Sequence, residues 1–169
     1  MSRILRYPNP RLRVVAAPVE SIDDTVRARV FQMLKILVEE EGIGLAAPQI
    51  GWPVRMFVMN VHPHHDPTHS VAIFNPEIVS VSGKTWSMTE GCLSFPGISG
   101  KIERPWEVRF KGQNLEGAST EFELHGLPAR CMLHEFDHLD GILFIDRMSP
   151  ARQQAIKGKL RRLEEEFPG

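Results

Sequence analysis

His134-Glu135-Phe136-Asp137-His138 sets two imidazoles four residues apart, with a carboxylate directly after the first. On a helix, residues at this spacing share a face, so His134 and His138 can offer two nitrogens to one metal ion. Glu135 then stands beside the first ligand, where a carboxylate can take a proton from metal-held water and return it. That chemistry is metal-assisted hydrolysis. The pentapeptide alone leaves the substrate open.

Cys92 offers a third ligand. It lies in Glu90-Gly91-Cys92-Leu93-Ser94-Phe95-Pro96-Gly97, where glycines leave room for the thiol to reach a metal and for N–H groups to face a substrate. One thiolate and two imidazoles leave a tetrahedral position for water, as in a catalytic site. An inert buried cysteine is the commoner fate for a thiol taken alone. Cys131 is read in that way, because a fourth protein ligand would close the metal to water. Pairing of the two cysteines is not expected in an unsecreted chain. A further segment, Gly42-Ile43-Gly44-Leu45-Ala46-Ala47-Pro48-Gln49, combines small residues that permit close backbone approach with an amide suited to a developing oxyanion. It lacks the glycine spacing and the Lys-Ser/Thr pair of a phosphate loop.

The elements that must position these groups show in the hydrophobic pattern. Gly126, Pro128 and Asp140-Gly141 bracket a helix carrying the His pair, with Leu127, Cys131, Leu133 and Leu139 as its apolar surface. A buried helix with such polar groups needs a reason, since unpaired polar groups in a core are costly. Ser21 to Glu41 reads as an amphipathic helix, capped by Ser21 or Asp23, with a core stripe of Val26, Val30, Leu34, Leu37 and Val38 and a stop at Gly42. Short strands are predicted at Arg55–Met59, Val71–Phe74, Ile78–Val81, Glu107–Phe110 and Glu121–Leu124. Ser149-Pro150 opens a C-terminal helix with Ile156, Leu160, Leu163 and Phe167 along one stripe and Glu164–Glu166 on a solvated face. The order argues for an α+β fold, with short antiparallel or mixed strands around a central helix bearing the motif and a helix near each terminus.

Bulk properties narrow the classes. The 169 residues, 42% of them hydrophobic, suit one domain over 1–169, with no repeat or linker. A net charge of −1 favours neither nucleic acid nor a membrane surface. No apolar run approaches the ~18–20 residues of a membrane span. Met1 to Tyr7 is too short and polar for a signal peptide, so a cytoplasmic location is expected.

Together, Gly42–Gln49, Glu90–Ser94 and His134–His138 resemble the three motifs of the peptide deformylases, in the same order. The resemblance extends from Ile4-Leu5…Pro8…Leu12-Arg13 to a closing helix like that of the common bacterial type. It implies that Cys92, His134 and His138 hold Fe2+, which Zn2+, Ni2+ or Co2+ can replace. Hydroxide would attack the formyl carbon of an N-formyl-methionyl peptide, with the Gln49 side chain and the Leu93 backbone N–H stabilising the oxyanion. Glu135 would carry the proton to the departing amine, releasing formate. Ile43 and Gly44 would bind the substrate backbone as a strand does. The methionine side chain would enter an apolar pocket near Ile43, Met88, Leu127 and Cys131. The resemblance further implies an Asp137–Arg104 pair bracing the helix, nascent peptides as partners, and transient visits to the ribosome exit region in a bacterial cytoplasm. Pro48 fills a variable position, and Leu133 stands where many members carry Gln.

Three other readings compete. A zinc endopeptidase would need a downstream third ligand; no His follows His138, and Glu164–Glu166 look like a surface run. A metal-binding module could use the His62-Pro63-His64-His65-Asp66…His69 segment, although its prolines give it little rigidity. A deformylase-like protein with a changed substrate is the third.

Overall fold

The structure, a computed structural model, describes residues 4–61 and 69–168. The expectation for His62, His64, His65 and Asp66 lies outside the described residues.

Helix α1 spans Asp24–Glu39, and the Asp23 side chain caps it by accepting the Val26 N–H at 2.9 Å. Its start is therefore later than Ser21. The stop is also displaced from the expected glycine. Gly42 N–H donates to the Leu37 carbonyl and Glu41 N–H to the Val38 carbonyl, so Glu41, with φ of 51°, takes the left-handed position. Val30, Met33 and Leu37 form the buried stripe, with Val26 and Leu34 partly buried beside it. Val38, expected in the core, is 53% exposed. It follows Leu37 by about 100° around the helix axis, which turns it off the buried face.

Five antiparallel strands form one sheet in the order β1-β2-β3-β6-β7: β1 Gly44–Ala46, β2 Met56–Asn60, β3 Ser70–Val81, β6 Glu107–Gln113 and β7 Ser119–His125. A separate ribbon pairs β4 Thr85–Gly91 with β5 Ser99–Pro105. The two predicted segments Val71–Phe74 and Ile78–Val81 are halves of β3. Asn75-Pro76 suggests a break, yet the strand absorbs the pair through a register shift against β6 between Phe74 and Glu77. An irregularity is where a residue without an N–H fits a ladder.

Helix α2 spans Leu127–Leu139, with Gly126 at its N-cap in a positive-φ conformation and Pro128 in its first turn. Ala129, Cys131, Met132, Leu133 and Leu139 pack with Phe57, Met59, Ile73, Val108 and Phe110 from the sheet. Helix α3 spans Pro150–Glu166, and its Ile156 and Leu163 enter a cluster with Leu12, Phe95 and Phe144. Leu160 and Phe167 join that cluster, half-buried. Glu164 is exposed but accepts a hydrogen bond from the Tyr7 hydroxyl at 3.0 Å, so it is tied to the body of the protein. Among the described residues, no helix is long and apolar enough to cross a membrane.

Candidate functional site

Helix α2 brings His134 and His138 onto one face a turn apart, and the end of β4 delivers Cys92 to meet them. The three candidate ligand atoms lie within 4.8 Å of one another. Cys92 Sγ is 3.3 Å from His138 Nε2. For a tetrahedral metal with bonds of about 2.3 Å to sulfur and 2.0–2.1 Å to nitrogen, the two atoms would stand about 3.5 Å apart. His134 Nδ1 is 3.0 Å from Glu90 Oε2, which leaves its Nε2 as the free nitrogen. The donor set and its spacing fit one divalent ion. Both cysteines are free thiols.

Behind the ligands lies a buried ionic network. Glu90 receives Arg104 Nε at 2.6 Å and Nη2 at 3.0 Å, and Arg130 Nη1 at 2.6 Å. Asp137 receives Arg104 Nη1 at 2.9 Å and Arg147 Nη2 at 2.6 Å, so the expected Asp137–Arg104 pair is present. Arg130 also bonds the carbonyls of Trp86 and Ile102 and lies 4.4 Å over the Trp86 ring. Burial pushes the Glu90 carboxyl up, but the hydrogen bonds from His134 and Arg104 outweigh it and hold Glu90 well below the usual carboxylate range. Burial also disfavours a charged His134, yet its hydrogen bonds to Cys92 and Glu90 prevail and raise its pKa well above the ordinary value. For His138, burial and then the charges of His134 and Arg104 all act downward, so it stays neutral with a lone pair available. Glu90, Arg130 and Arg147 were not singled out from sequence as functional. Only Glu90 carried a signal, its place in the segment with Cys92.

Gln49 is fully buried. Its Oε1 accepts the Ala46 N–H at 2.8 Å, which aims Nε2 at Cys92 Sγ, 3.5 Å away, and at Ser94 Oγ, 3.2 Å away. Residues 92–95 form a turn closed by Phe95 N–H on the Cys92 carbonyl at 2.9 Å. Because N–H and C=O oppose each other across a trans peptide, this bond turns the Leu93 N–H outward from the turn. Glu135 is buried, and its Oε2 has no hydrogen-bond partner among the described residues. Burial is the main cause that lifts its carboxyl, to about 7 against the pull of His134 and Arg104. Gly44 leaves space for it: a Cβ there would lie 2.4 Å from Glu135 Oε1 and 2.7 Å from Cys131 Sγ.

These groups open onto a cleft of roughly 670 Å³. Ile43, Gly44, Met88, Leu127 and Cys131, all expected at the substrate, line it together with Leu93 and Gln49. His138 is not on its wall and lies deeper, almost wholly buried. Burial, followed by the charges of Glu135 and Glu90, pushes the Cys131 thiol well up, which suits it to be an apolar wall rather than a ligand. The residues of the endopeptidase alternative do not approach this site: Glu164–Glu166 lie exposed on α3.

The sequence model of the polypeptide deformylase family matches residues 1–154. A peptide deformylase from a Thermotoga species (strain RQ2) is 43% identical over 160 residues, covering 95% of this chain and 94% of that protein. One from Chromobacterium violaceum is 42% identical over 163 residues, covering 96% of each. Among solved structures, the peptide deformylase of Plasmodium falciparum superposes with a TM-score of 0.93 at 37% identity, over 98% of this chain and 97% of that one. That of Thermotoga maritima gives 0.83 at 43% identity, over 89% and 99%. The sheet, the ribbon and the three helices described above are thus those of a known enzyme fold, and the chain belongs to the polypeptide deformylase family.

Proposed function

We propose that residues 1–169 act as one catalytic unit centred on α2, in which the deformylase reaction is carried by Cys92, His134 and His138 as metal ligands, Glu135 as proton carrier, and Gln49 with the Leu93 N–H as oxyanion donors. The observation that carries this reading is the convergence of an amide N–H₂, a buried carboxylate with one unpartnered oxygen and a Cys/His/His cluster, of which Cys92 and His134 line the cleft and His138 lies behind them. The enzyme removes the formyl group from the N-terminal formyl-methionine of new polypeptides, releasing formate.

Cys92 Sγ and the two Nε2 atoms would hold the ion, with Fe2+ as the native metal and Zn2+, Ni2+ or Co2+ as replacements. A divalent ion supplies Lewis acidity, which makes hydroxide available at neutral pH. The strand-like backbone of Ile43 and Gly44 binds the peptide, and Ile43, Met88, Leu127 and Cys131 take the methionine side chain. Gln49 Nε2 and the Leu93 N–H donate to the formyl oxygen as negative charge builds on it. Glu135, poised near neutrality, takes the proton of the attacking water and passes it to the departing amine nitrogen. Because its substrates are newly made formylated polypeptides, the enzyme acts in the bacterial cytoplasm, with transient visits to the ribosome exit region.

Formate release from formyl-Met-Ala by anaerobically purified, metal-replete enzyme tests the reading, with Glu135→Ala as control. Activity is expected from the wild type and loss from the variant. No formate from the wild type would sink the assignment, and an undiminished Glu135→Ala would remove Glu135 from its role.

A further inference from the structure

Residues 5–7 run as a strap along the two segments that carry the oxyanion donors. The Leu5 N–H donates to the Gln49 carbonyl at 2.7 Å, and the Tyr7 N–H donates to the Ser94 carbonyl at 2.9 Å. Between them, the Arg6 guanidinium donates to the Leu93 carbonyl. Arg6 stands on the wall of the cleft with its side chain 25% exposed, 3.8 Å from Glu40 beyond the end of α1. The Tyr7 ring stacks on Phe95, with centroids 4.9 Å apart.

Every carbonyl of the turn from Cys92 to Ser94 is thereby held. Cys92 bonds inside the turn to Phe95, Leu93 bonds to Arg6, and Ser94 bonds to Tyr7. The internal bond sets the direction of the Leu93 N–H relative to the turn. It does not set where the turn stands relative to Gln49, which sits in a separate 3-10 turn over Ala47–Ile50. Two contacts of one side-chain nitrogen, Gln49 Nε2 with Ser94 Oγ at 3.2 Å and with Cys92 Sγ at 3.5 Å, join the two directly. The strap adds three links from consecutive residues of one chain segment, and Arg6 is the one whose side chain makes the link.

We propose that Arg6 is a positioning residue for deformylation, holding the Leu93 turn at the distance from Gln49 at which both donors reach the same oxyanion. This rests on the oxyanion roles given above to Gln49 and Leu93. Arg6 itself touches the turn's carbonyl and not the reacting atoms. Because the donors act most strongly on charge that exists only in the transition state, the effect of losing Arg6 falls on kcat and spares KM. A shift of the order of 1 Å in such a site lowers the rate by about ten- to a hundredfold.

The test uses the full chain carrying Arg6→Ala or Arg6→Lys, assayed on formyl-Met-Ala with metal content and thermal midpoint measured in parallel. In Arg6→Ala, kcat should fall about tenfold or more with KM and bound metal unchanged. Arg6→Lys, which keeps a donor, should recover part of the loss, as should millimolar methylguanidinium added to Arg6→Ala. Wild-type kcat in Arg6→Ala overturns the proposal. So does a loss that appears as raised KM, which makes Arg6 a substrate contact, or one that tracks lost metal. Gln49→Leu separates the two layers. If it keeps wild-type kcat, the oxyanion reading fails and the proposal with it; if it loses activity while Arg6→Ala does not, the positioning proposal alone fails.

Discussion

Gly44→Ala adds one methyl group to the protein and should remove most of its activity. The glycine φ is not in the left-handed region, so alanine suits the backbone and the cost is one of space. The new Cβ would lie 2.4 Å from Glu135 Oε1, 2.8 Å from Glu135 Cδ and 2.7 Å from Cys131 Sγ. Carbon–oxygen contacts settle near about 3.3–3.6 Å, so the carboxylate must retreat by about 1 Å. In a positioned proton transfer, a displacement of that size costs about 10²-fold in rate, equivalent to about 2.7 kcal/mol of barrier. Overpacking should take a further 1–3 kcal/mol or so from stability. Initial rates of formate release, set beside metal content and chemical denaturation, read both effects. None of the three atoms nearest the new methyl belongs to Cys92, His134 or His138, so bound metal should remain. Gly44→Ala combined with Cys131→Ala relieves the sulfur clash and leaves the carboxylate clash. The pair should therefore regain stability without regaining rate. A single Gly44→Ala variant within about threefold of wild-type kcat/KM would refute the reasoning, because the rate would then not depend on where the Glu135 carboxylate stands.

Other changes probe the rest of the site. Glu90→Gln leaves Arg104 and Arg130 buried beside a neutral partner, so it should destabilise the fold by about 3–5 kcal/mol and weaken metal binding by about 10–100-fold, measured by denaturation and by Co2+ titration. Cys92→Ala should abolish formate release and stoichiometric metal retention together, and a chelator should silence the wild type until Fe2+ or Co2+ is restored; activity persisting in Cys92→Ala would count against the ligand set. Asp146 supplies a pH test. Burial raises its carboxyl, but the Arg13 hydrogen bond and the Leu143 N–H outweigh that and lower it below the ordinary aspartate value. A depressed folded pKa contributes stability above the unfolded value of about 3.9 and loses it as pH falls toward the folded value. Asp146→Asn should therefore flatten the acid limb of the stability curve below about pH 4, by less than about 1 kcal/mol because the pair is partly solvated. An unchanged acid limb would exclude the pair as a contributor.

The helices were legible because each carries a 3.6-residue pattern and a chemical boundary: Asp23 for α1, Gly126-Leu127-Pro128 and Gly141 for α2, Ser149-Pro150 for α3. Their errors have local causes. Glu41 rather than Gly42 takes the left-handed turn, so the stop moves by one residue, and Val38 faces solvent because the stripe runs through Met33. The β4–β5 ribbon alternates in burial, with Trp86, Glu90, Ile102 and Arg104 on its inward face, but two of those four inward residues are charged, so no apolar period marks the strands. Strand β1 is hidden within small residues, where three backbone pairs with β2 suffice. The convergence of Cys92, His134, His138 and the Gln49 amide was legible because such residues at such spacing are rare and their motifs are short. Arg130 and Arg147 were not, since their partners Glu90 and Asp137 are reached through the fold and obey no sequence period.

Two carboxylates flank His134, and their opposite treatment explains how the site works. Glu90 has a bidentate contact with Arg104, a further bond from Arg130 and the imidazole of His134; it is held ionised and serves as a fixed anchor. Glu135, one residue along from the same histidine, has an oxygen with no partner among the described residues and sits near neutrality. An unpaired buried polar atom costs about 1–3 kcal/mol, a cost the network behind it must outweigh. A guanidinium beside Glu135 would recover that stability, but it would also lower the carboxyl as it does for Glu90 and leave a base too weak to hold a proton at neutral pH. The His138 Nδ1 likewise has no partner among the described residues, so packing and the contact of Nε2 with Cys92 Sγ at 3.3 Å hold that ring. The arginines of this site therefore bond the carboxylates of Glu90 and Asp137 and stop short of Glu135, the one proposed to exchange a proton. The fold pairs the charges that hold the site and leaves one oxygen of Glu135 without a partner among the described residues, which suits the proton-carrying role proposed for it.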